Sequence, residues 1–119
     1  MSRKIDAPKI IKACGNVPKI IEEYIGPVNT GNKNLSVARM ISPKGWNEPG
    51  QTPEFDEYTV VLKGYLLAET KKETYKINAG QAFIATANEW VRYSSPEGSE
   101  YIAVCLPAFT PDTVNRDQQ

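Results

Sequence analysis

Histidine is absent from this 119-residue sequence, and cysteine occurs only twice, at Cys14 and Cys105. Without histidine there is no Ser–His or Cys–His nucleophile pair and no histidine-ligated metal ion. The first residues, MSRKIDAPKIIK, contain no apolar signal core, and no apolar run approaches the length of a transmembrane helix. These absences predict a cytoplasmic protein with two free thiols and no membrane segment.

An excess of one charge sign is also missing, because 14 Lys and Arg residues balance 14 Asp and Glu residues. Proteins that bind nucleic acid or anionic membranes use surplus positive charge, so neither partner is expected. A composition of 40% hydrophobic and 24% charged residues is typical of a globular protein. The length fits one domain, which can bury a core without disulfide bridges.

Most of the chain consists of short β-prone runs separated by turn residues, without a long helical period. The runs are Leu35–Ile41, Glu57–Leu62, Tyr65–Thr70, Glu73–Ile77, Ala82–Thr86, Trp90–Tyr93 and Tyr101–Leu106. Runs that recur every 8–12 residues or so indicate an all-β sandwich or barrel. The dipeptide Lys63-Gly64 separates two of them and predicts a tight turn between a strand and its returning partner.

The two ends of the chain are less regular than the middle. Residues 1–34 form an N-terminal extension, in which the pattern of residues 19–25 fits either one face of a helix or an edge strand. A strand is the preferred interpretation, because the rest of the chain is β-prone. Residues 108–119 are polar and contain a proline, which predicts a C-terminal tail on the surface.

Two glycine-framed segments resemble the two conserved motifs of the cupin superfamily. The first runs from Gly45 to Gly64, with Glu57 at the position of the family's glutamate. The second begins at Gly80 and retains only that glycine of its pattern. The resemblance covers about residues 35–107. It implies an all-β double-stranded β-helix, a jelly-roll-like cupin barrel, to which the N-terminal extension is added.

The resemblance also implies a partner for the barrel. The extension of residues 1–34 is expected to pack on the barrel of residues 35–107 or on a second subunit. Because strand edges need to be covered, a homodimer is the expected assembly.

Most cupins bind a transition metal through three histidines and the glutamate. In this sequence the histidine positions carry Gln51, Pro53 and Val91. Proline and valine offer no side-chain ligand, and a carboxamide is a weak one for these metals. The sequence therefore predicts no metal site and no cofactor, and it disfavours metal-dependent oxygenase chemistry.

Glu57 is the candidate catalytic residue. In a strand of period two, Glu57, Thr59 and Val61 share one face, which the cupin resemblance directs into the barrel. Burial would raise the pKa of such a carboxyl, which suits a general base or a hydrogen-bonding partner of a ligand. The alternative is a structural glutamate that is satisfied by Gln51, Tyr93 or backbone amides.

Several further residues are candidates for ligand binding. Val91 and Tyr93 share a face of the second-motif strand and are expected near Glu57 and Gln51, although a tyrosine there can equally be a core residue. Arg39 lies mid-strand, and its phase leaves open whether it clamps a ligand or faces solvent.

The two tryptophans of the sequence, Trp46 and Trp90, flank the two motifs. Large aromatic side chains at the loop ends of a barrel are expected either to line the rim of a pocket or to pack at its edge. We therefore count both tryptophans among the candidate ligand-binding residues.

The functional hypothesis is a metal-independent cupin that binds a small polar or anionic molecule in the barrel mouth. Proton-transfer chemistry of the isomerase or epimerase type by Glu57 is compatible with it. The alternative hypothesis is a ligand-sensing or protein-interaction module without catalysis.

Overall fold

The computed structural model describes residues 1–117, which form nine β-strands and no helix. The strands are β1 (Lys9–Ile11), β2 (Ile20–Ile25), β3 (Ser36–Ser42), β4 (Trp46–Asn47), β5 (Asp56–Thr70), β6 (Thr74–Asn78), β7 (Ala82–Ala85), β8 (Val91–Ser95) and β9 (Ser99–Leu106). The described part of the chain therefore contains no helix that is long and apolar enough to cross a membrane. The predicted all-β class is confirmed.

Two antiparallel sheets face each other and share the long strand β5. In the first sheet the order is β1-β2-β3-β9-β5, and β7 pairs with the other edge of β5. In the second sheet the C-terminal half of β5 pairs with β6 and β8, and β8 pairs with β4. Because one strand belongs to both sheets, the whole array curls into a barrel with the core between the sheets.

The predicted tight turn at Lys63-Gly64 is wrong, because β5 runs through it as a continuous strand. The register with β9 shifts between Val61 and Lys63, and Gly64 adopts a positive φ of 69°. The strand bends here and passes from one sheet to the other. A Cβ atom on Gly64 would collide with the backbone carbonyl oxygen of Gly98. Glycine is thus required at the bulge that turns the corner of the barrel. In the sequence, such a bulge looks the same as a tight turn.

This corner predicts a difference between two glycine substitutions. Gly64→Ala should lower the free energy of unfolding by about 3 kcal/mol, from backbone strain plus a collision with a carbonyl that cannot move freely. Gly80→Ala is the matched control, since Gly80 also has a positive φ of 86° but has open space where its Cβ would lie. It should lose only about 1 kcal/mol. Urea unfolding of both variants measures this, and equal losses would contradict the account of the corner.

Strand alternation separates an inner and an outer face of β5. Glu57, Thr59 and Val61 are buried, whereas Tyr58, Val60 and Leu62 are exposed. The predicted phase of this strand is therefore correct. The inward side chains join a core that includes Trp46, Leu66, Ala68, Val91, Tyr93 and Tyr101.

The extension and the tail are both integrated into the barrel. Residues 20–25 form a strand, as preferred, and β2 pairs with β3 along the edge of the first sheet. The segment expected as a surface tail instead buries Ala108 and Val114. Val114 packs with Phe55 and Cys105 in a second, smaller cluster. Backbone bonds from Thr52 to Asn115 and from Asp117 to Gly50 fix this segment across the first motif.

Candidate functional site

A cavity of about 440 Å³ lies inside the barrel. Its volume is within the range of small-molecule sites. Its polar and ionisable lining residues include Lys19, Glu48, Gln51, Glu57, Tyr93, Tyr101 and Arg116. Apolar side chains dominate the remaining wall and include Ile21, Ala38, Met40, Phe55, Ala103 and Phe109. The combination of apolar walls and a few converging polar groups is the usual composition of a ligand pocket.

Glu57 is held in the wall of this cavity by the pairing of β5 with β7 on one side and β9 on the other. Its side chain is buried, and the ion pairs of residues 1–117 do not involve it. Burial raises the pKa of its carboxyl to about 7, and the negative charge of Glu48 adds to the shift. The positive charges of Lys19 and Arg116 lower the pKa of this carboxyl, and so does the hydroxyl of Tyr93, which lies near the carboxyl without reaching hydrogen-bond geometry. At neutral pH the carboxyl can therefore hold or release a proton, as a general acid–base does.

Three buried polar atoms on the cavity-lining residues lack a hydrogen-bond partner among residues 1–117. They are Oε1 of Gln51, the hydroxyl of Tyr93 and Nε of Arg116. Leaving a buried polar group unpaired costs about 1–3 kcal/mol, and most buried groups in native proteins are paired. Burial and the nearby carboxylates raise the pKa of Tyr93, so its hydroxyl keeps its proton and remains a donor. The residues that carry these two donors and one acceptor all line the cavity.

Sequence reasoning missed Glu48. It lies in the loop after β4, where no strand period predicts its direction, and its side chain is buried against the cavity. Burial raises its pKa, and Lys19 and Arg116 oppose that shift. The sequence offers one indication that Glu48 belongs to the site, which is its position within the first motif, three residues before Gln51.

Sequence reasoning also missed the two cations of the cavity, Lys19 and Arg116. Lys19 donates a hydrogen bond to the hydroxyl of Tyr101 at 2.8 Å, and its ammonium lies 3.8 Å from the ring centroid of Trp46. Arg116 reaches the cavity from the C-terminal segment, where it forms an isolated β-bridge with Gln51. Both residues lie in regions that the sequence pattern assigned to an extension and a tail.

The structure brings three of the predicted site residues together in the cavity: Gln51, Glu57 and Tyr93. Val91 bridges to Gln51 through the backbone but is a fully buried core residue outside the cavity lining. The ligand-binding prediction for Val91 therefore needs correction, because its side chain belongs to the core between the sheets.

Arg39 lies outside the cavity, on the outer face of β3, where it forms ion pairs with Glu22 at 3.3 Å and Glu100 at 3.1 Å. The inward alternative for Arg39 is wrong, because its neighbours Ala38 and Met40 occupy the cavity side. The prediction that Arg39 binds a ligand is corrected accordingly.

The two tryptophans do not line this cavity either. Trp46 is 1% exposed and belongs to the core, and its indole N–H donates to the carbonyl oxygen of Cys14 at 3.2 Å. Trp90 is half-buried against Gly50, beside a shallow outer groove, and bonds to Asp117 at 2.8 Å. The prediction of a tryptophan-lined rim is thus wrong for this cavity, since one ring fills the core and the other packs on the outside.

The metal site of the cupin pattern does not fit these residues. No group of three or more His, Cys, Asp or Glu side chains converges within residues 1–117. Of the residues at the histidine positions, Gln51 alone has a donor atom, and a carboxamide is a weak ligand for a transition metal. Glu57 therefore lacks the three histidine ligands that complete the metal site in the cupin pattern.

Both cysteines line the same cavity as free thiols. Burial raises the pKa of Cys105, and the negative charge of neighbouring Glu57 adds to this shift. Because the thiol keeps its proton, Cys105 acts as a small apolar wall residue rather than as a nucleophile.

Solved structures of similar shape identify the fold. The polyketide cyclase RemF from Streptomyces resistomycificus superposes with a TM-score of 0.78 at 12% identity, over 100% of this chain and 88% of that one. An RmlC-like cupin from Shewanella frigidimarina superposes with a TM-score of 0.71 at 15% identity, over 88% of this chain and 87% of that one. The chain therefore has the cupin fold that the glycine-framed motifs predicted.

A curated relative is more similar in sequence. The endoribonuclease YbeY of Myxococcus xanthus is 39% identical over 101 residues, which are 83% of this chain and 34% of that protein. The chain thus spans about a third of the relative it matches. No family model matches the sequence.

Proposed function

We propose that this cupin barrel binds a small, neutral, mostly apolar carbonyl compound and transfers a proton at the carbon next to the carbonyl, with Glu57 as the base. One observation carries the proposal. A buried carboxyl without an ion pair lies in the wall of the same cavity as Gln51, Tyr93 and Arg116, the residues that carry the unpaired polar atoms. Unpaired donors and a raised carboxyl pKa are costs to stability that a ligand and a catalytic task explain.

The lining of the cavity narrows the class of ligand. Aromatic and aliphatic walls such as Phe55, Phe109 and Met40 favour a bicyclic or tricyclic molecule over a sugar. With Glu57 ionised, as a base must be, the cavity lining holds equal numbers of cationic side chains (Lys12, Lys19, Arg116) and acidic ones (Glu23, Glu48, Glu57). This balance favours a neutral ligand, which amends the sequence-based expectation of a polar or anionic one.

The chemistry follows from the arrangement. The Glu57 carboxylate removes a proton from the carbon beside the carbonyl, and the electron pair of the broken C–H bond moves into the carbonyl to form an enolate. The Tyr93 hydroxyl donates a hydrogen bond to the developing oxyanion, a type of contact that commonly contributes 10²–10³-fold to rate. The Glu57 carboxyl then returns a proton to the same carbon or to another one. One solved structure of the same fold is the polyketide cyclase RemF.

An exchange reaction tests this proposal with a probe that has the predicted properties. 1-Tetralone is a neutral fused-ring ketone with exchangeable protons beside its carbonyl. In deuterium oxide the protein should accelerate loss of its α-proton signal, measured by proton NMR, while the ketone itself is unchanged. Glu57→Gln should slow the exchange by about 10²–10⁴-fold, the usual contribution of a general base. Glu73→Gln, at an exposed position outside the cavity, should leave the rate unchanged.

The same probe separates catalysis from simple binding. If 1-tetralone raises the melting temperature but exchange stays at the buffer rate, the barrel is a ligand-binding module and the catalytic part of the proposal fails. If neutral fused-ring ketones produce neither a melting shift nor exchange, the whole assignment of the cavity fails.

A pair of tyrosines provides a second test, which needs no ligand. Tyr93→Phe removes a hydroxyl that forms no hydrogen bond within residues 1–117, and at pH 5, where the nearby Glu57 carboxyl keeps its proton, it should leave the free energy of unfolding unchanged or raise it by about 1 kcal/mol. Tyr101→Phe removes a hydroxyl that bonds to Lys19 at 2.8 Å and to Ser42 at 3.2 Å, and should lower it by about 1–3 kcal/mol. Chemical unfolding at one pH measures both. A large loss in Tyr93→Phe would mean that its hydroxyl is a structural contact and not reserved for a ligand.

The name of the longer curated relative, an endoribonuclease, suggests a different activity. This chain has no charge excess, and its cavity of about 440 Å³ holds a small molecule rather than a polymer strand. We therefore expect no cleavage when the chain is incubated with single-stranded or duplex RNA. Cleavage that disappears in Glu57→Gln would favour a ribonuclease site in this barrel over the carbonyl proposal.

Cys14 and Cys105 are free thiols that line one cavity. Because free thiols persist in a reducing compartment, we include a cytoplasmic location in the proposal.

A further inference from the structure

Glu48 borders two separate hollows of the molecule. It lines the internal cavity, and it also lines the groove on the outer surface beside Trp90, which we call the outer groove. Within residues 1–117 it is the one residue that lines both. Arg92 and Asp117, which also line the outer groove, are exposed, so the groove is open to solvent. Glu48 itself is only 8% exposed and therefore belongs to the wall between the cavity and solvent.

The wall is thin at this place, because neighbours in the chain lie on its two sides. Cys14 lines the cavity, whereas the next residue, Gly15, lines the outer groove. In the C-terminal segment, Arg116 lines the cavity and Asp117 lines the groove. Glu48 spans the same wall with a single side chain, and that side chain carries an ionisable carboxyl.

The carboxyl of Glu48 is suited to gaining and losing a proton. The ion pairs of residues 1–117 do not involve it. Burial raises its pKa, and the charges of Lys19 and Arg116 oppose that shift from a distance. Its negative charge also acts on Glu57 and raises the pKa of that carboxyl. The two carboxyls of the cavity are thus coupled, and charge on one disfavours charge on the other.

The proposed reaction requires a path for the proton that Glu57 removes. Glu57 is buried, and the exposed members of the cavity lining are Lys12 and Pro111, which mark the mouth of the cavity. A fused-ring ketone that enters by this mouth excludes water from the apolar cavity. The proton on Glu57 must still be exchanged for one from solvent. A second path, separate from the mouth, is therefore needed.

We propose that Glu48 relays protons between Glu57 and the water of the outer groove while a ketone occupies the cavity. This inference rests on the proposed function. The protonated Glu57 carboxyl passes its proton to the Glu48 carboxylate, directly or through one water molecule, and Glu48 releases it to water in the groove. A solvent proton returns by the reverse path and is added to the enolate carbon. Both carboxylates are then ionised again, and the ketone carries a solvent proton.

Exchange of the α-protons of 1-tetralone in deuterium oxide tests the relay. At pH 8 Glu57 is mostly ionised, since its pKa is about 7. Glu48→Gln keeps the shape of the side chain but removes the carboxyl, and it should slow the exchange by about 10²-fold, the lower end of what a proton-transferring side chain contributes. Glu89→Gln is the matched control and should keep the wild-type rate, because Glu89 is exposed beside Trp90 and lines neither the cavity nor the groove.

Glu48→Ala separates proton transfer from charge and packing. Removing this side chain opens a space in the wall that a small planar anion from the groove can fill. Formate can carry a proton, whereas nitrate has the same charge and a similar shape but carries none at this pH. After subtraction of the rate without protein, formate should raise the exchange rate of Glu48→Ala by about tenfold or more, and nitrate should leave it unchanged.

The possible outcomes separate the relay from the proposed function. If the wild-type protein exchanges the protons and folded Glu48→Gln does so equally fast, the relay is overturned and the proposed function stands. Equal rescue of Glu48→Ala by formate and nitrate, or rescue by neither, also overturns the relay, because Glu48 then acts through its charge or its packing. If Glu48→Gln does not fold, judged by circular dichroism, Glu48→Asp repeats the comparison and should retain an intermediate rate. If the wild-type protein produces no exchange, the proposed function fails and the relay fails with it.

Discussion

Replacing Glu57 by glutamine is expected to stabilise the protein by about 3 kcal/mol above pH 7 and to have little effect on stability near pH 4. The folded state holds the Glu57 proton with a pKa of about 7, against 4.5 for an unperturbed glutamate. Between these pH values the native state binds more protons than the unfolded state, so the free energy of unfolding falls as the pH rises. A shift of this size corresponds to about 3 kcal/mol.

Glutamine imitates the protonated carboxyl in shape and charge, so the variant should not share this loss. The experiment is urea unfolding of both proteins at a series of pH values and at one chain concentration. Subtracting the two curves isolates Glu57 from the other titrating groups, and Glu73→Gln, an exposed glutamate, should follow the wild-type curve. A difference between wild type and Glu57→Gln that stays constant with pH would show that Glu57 titrates like an ordinary surface carboxyl.

Trp46→Ala is expected to cost about 3–5 kcal/mol, the range for deleting a fully buried aromatic side chain. Trp46 is 1% exposed. The Lys19 ammonium lies 3.8 Å from the centroid of its ring, and its indole N–H donates a hydrogen bond to the carbonyl oxygen of Cys14. Its removal also loosens the segment that carries Lys19 to the cavity. In a small domain this loss is a large part of the total stability.

Trp90→Ala is the comparison, because the sequence places the two tryptophans in equivalent positions beside the motifs. Trp90 is half-buried and packs on the outer surface of Gly50, so its loss should cost no more than about 2 kcal/mol. Thermal or urea unfolding of both variants decides the point. Equal effects would mean that Trp46 packs at the edge of the barrel and not in its core.

The sequence predicts the fold well because its information is local. Strand alternation places Glu57, Thr59 and Val61 on one face, and the resemblance of the glycine-framed segments to cupin motifs implies both the barrel and the inward direction of that face. The error at Lys63-Gly64 has a physical basis, since a bulge at a barrel corner and a hairpin turn both require glycine at positive φ.

The candidate site is predicted only in part, because several of its members depend on tertiary packing. Gln51, Glu57 and Tyr93 come from the motifs and do share the cavity. Glu48, Lys19 and Arg116 lie outside regular alternation, in a loop, the extension and the C-terminal segment, so no period gives their direction. For Arg39 the difficulty is different. The sequence predicts the strand that contains it but does not predict which face of that strand it occupies.

The protonation of Glu57 in the folded protein is the most direct test of the site. Carbon-13 NMR of protein labelled at the glutamate side-chain carboxyls follows each group as the pH changes, and the signal missing from Glu57→Gln identifies Glu57. The account predicts a midpoint near pH 7, as burial in the cavity beside Glu48 requires. A midpoint near 4.5, the value of an unperturbed glutamate, would contradict it and remove Glu57 as a base poised for neutral pH.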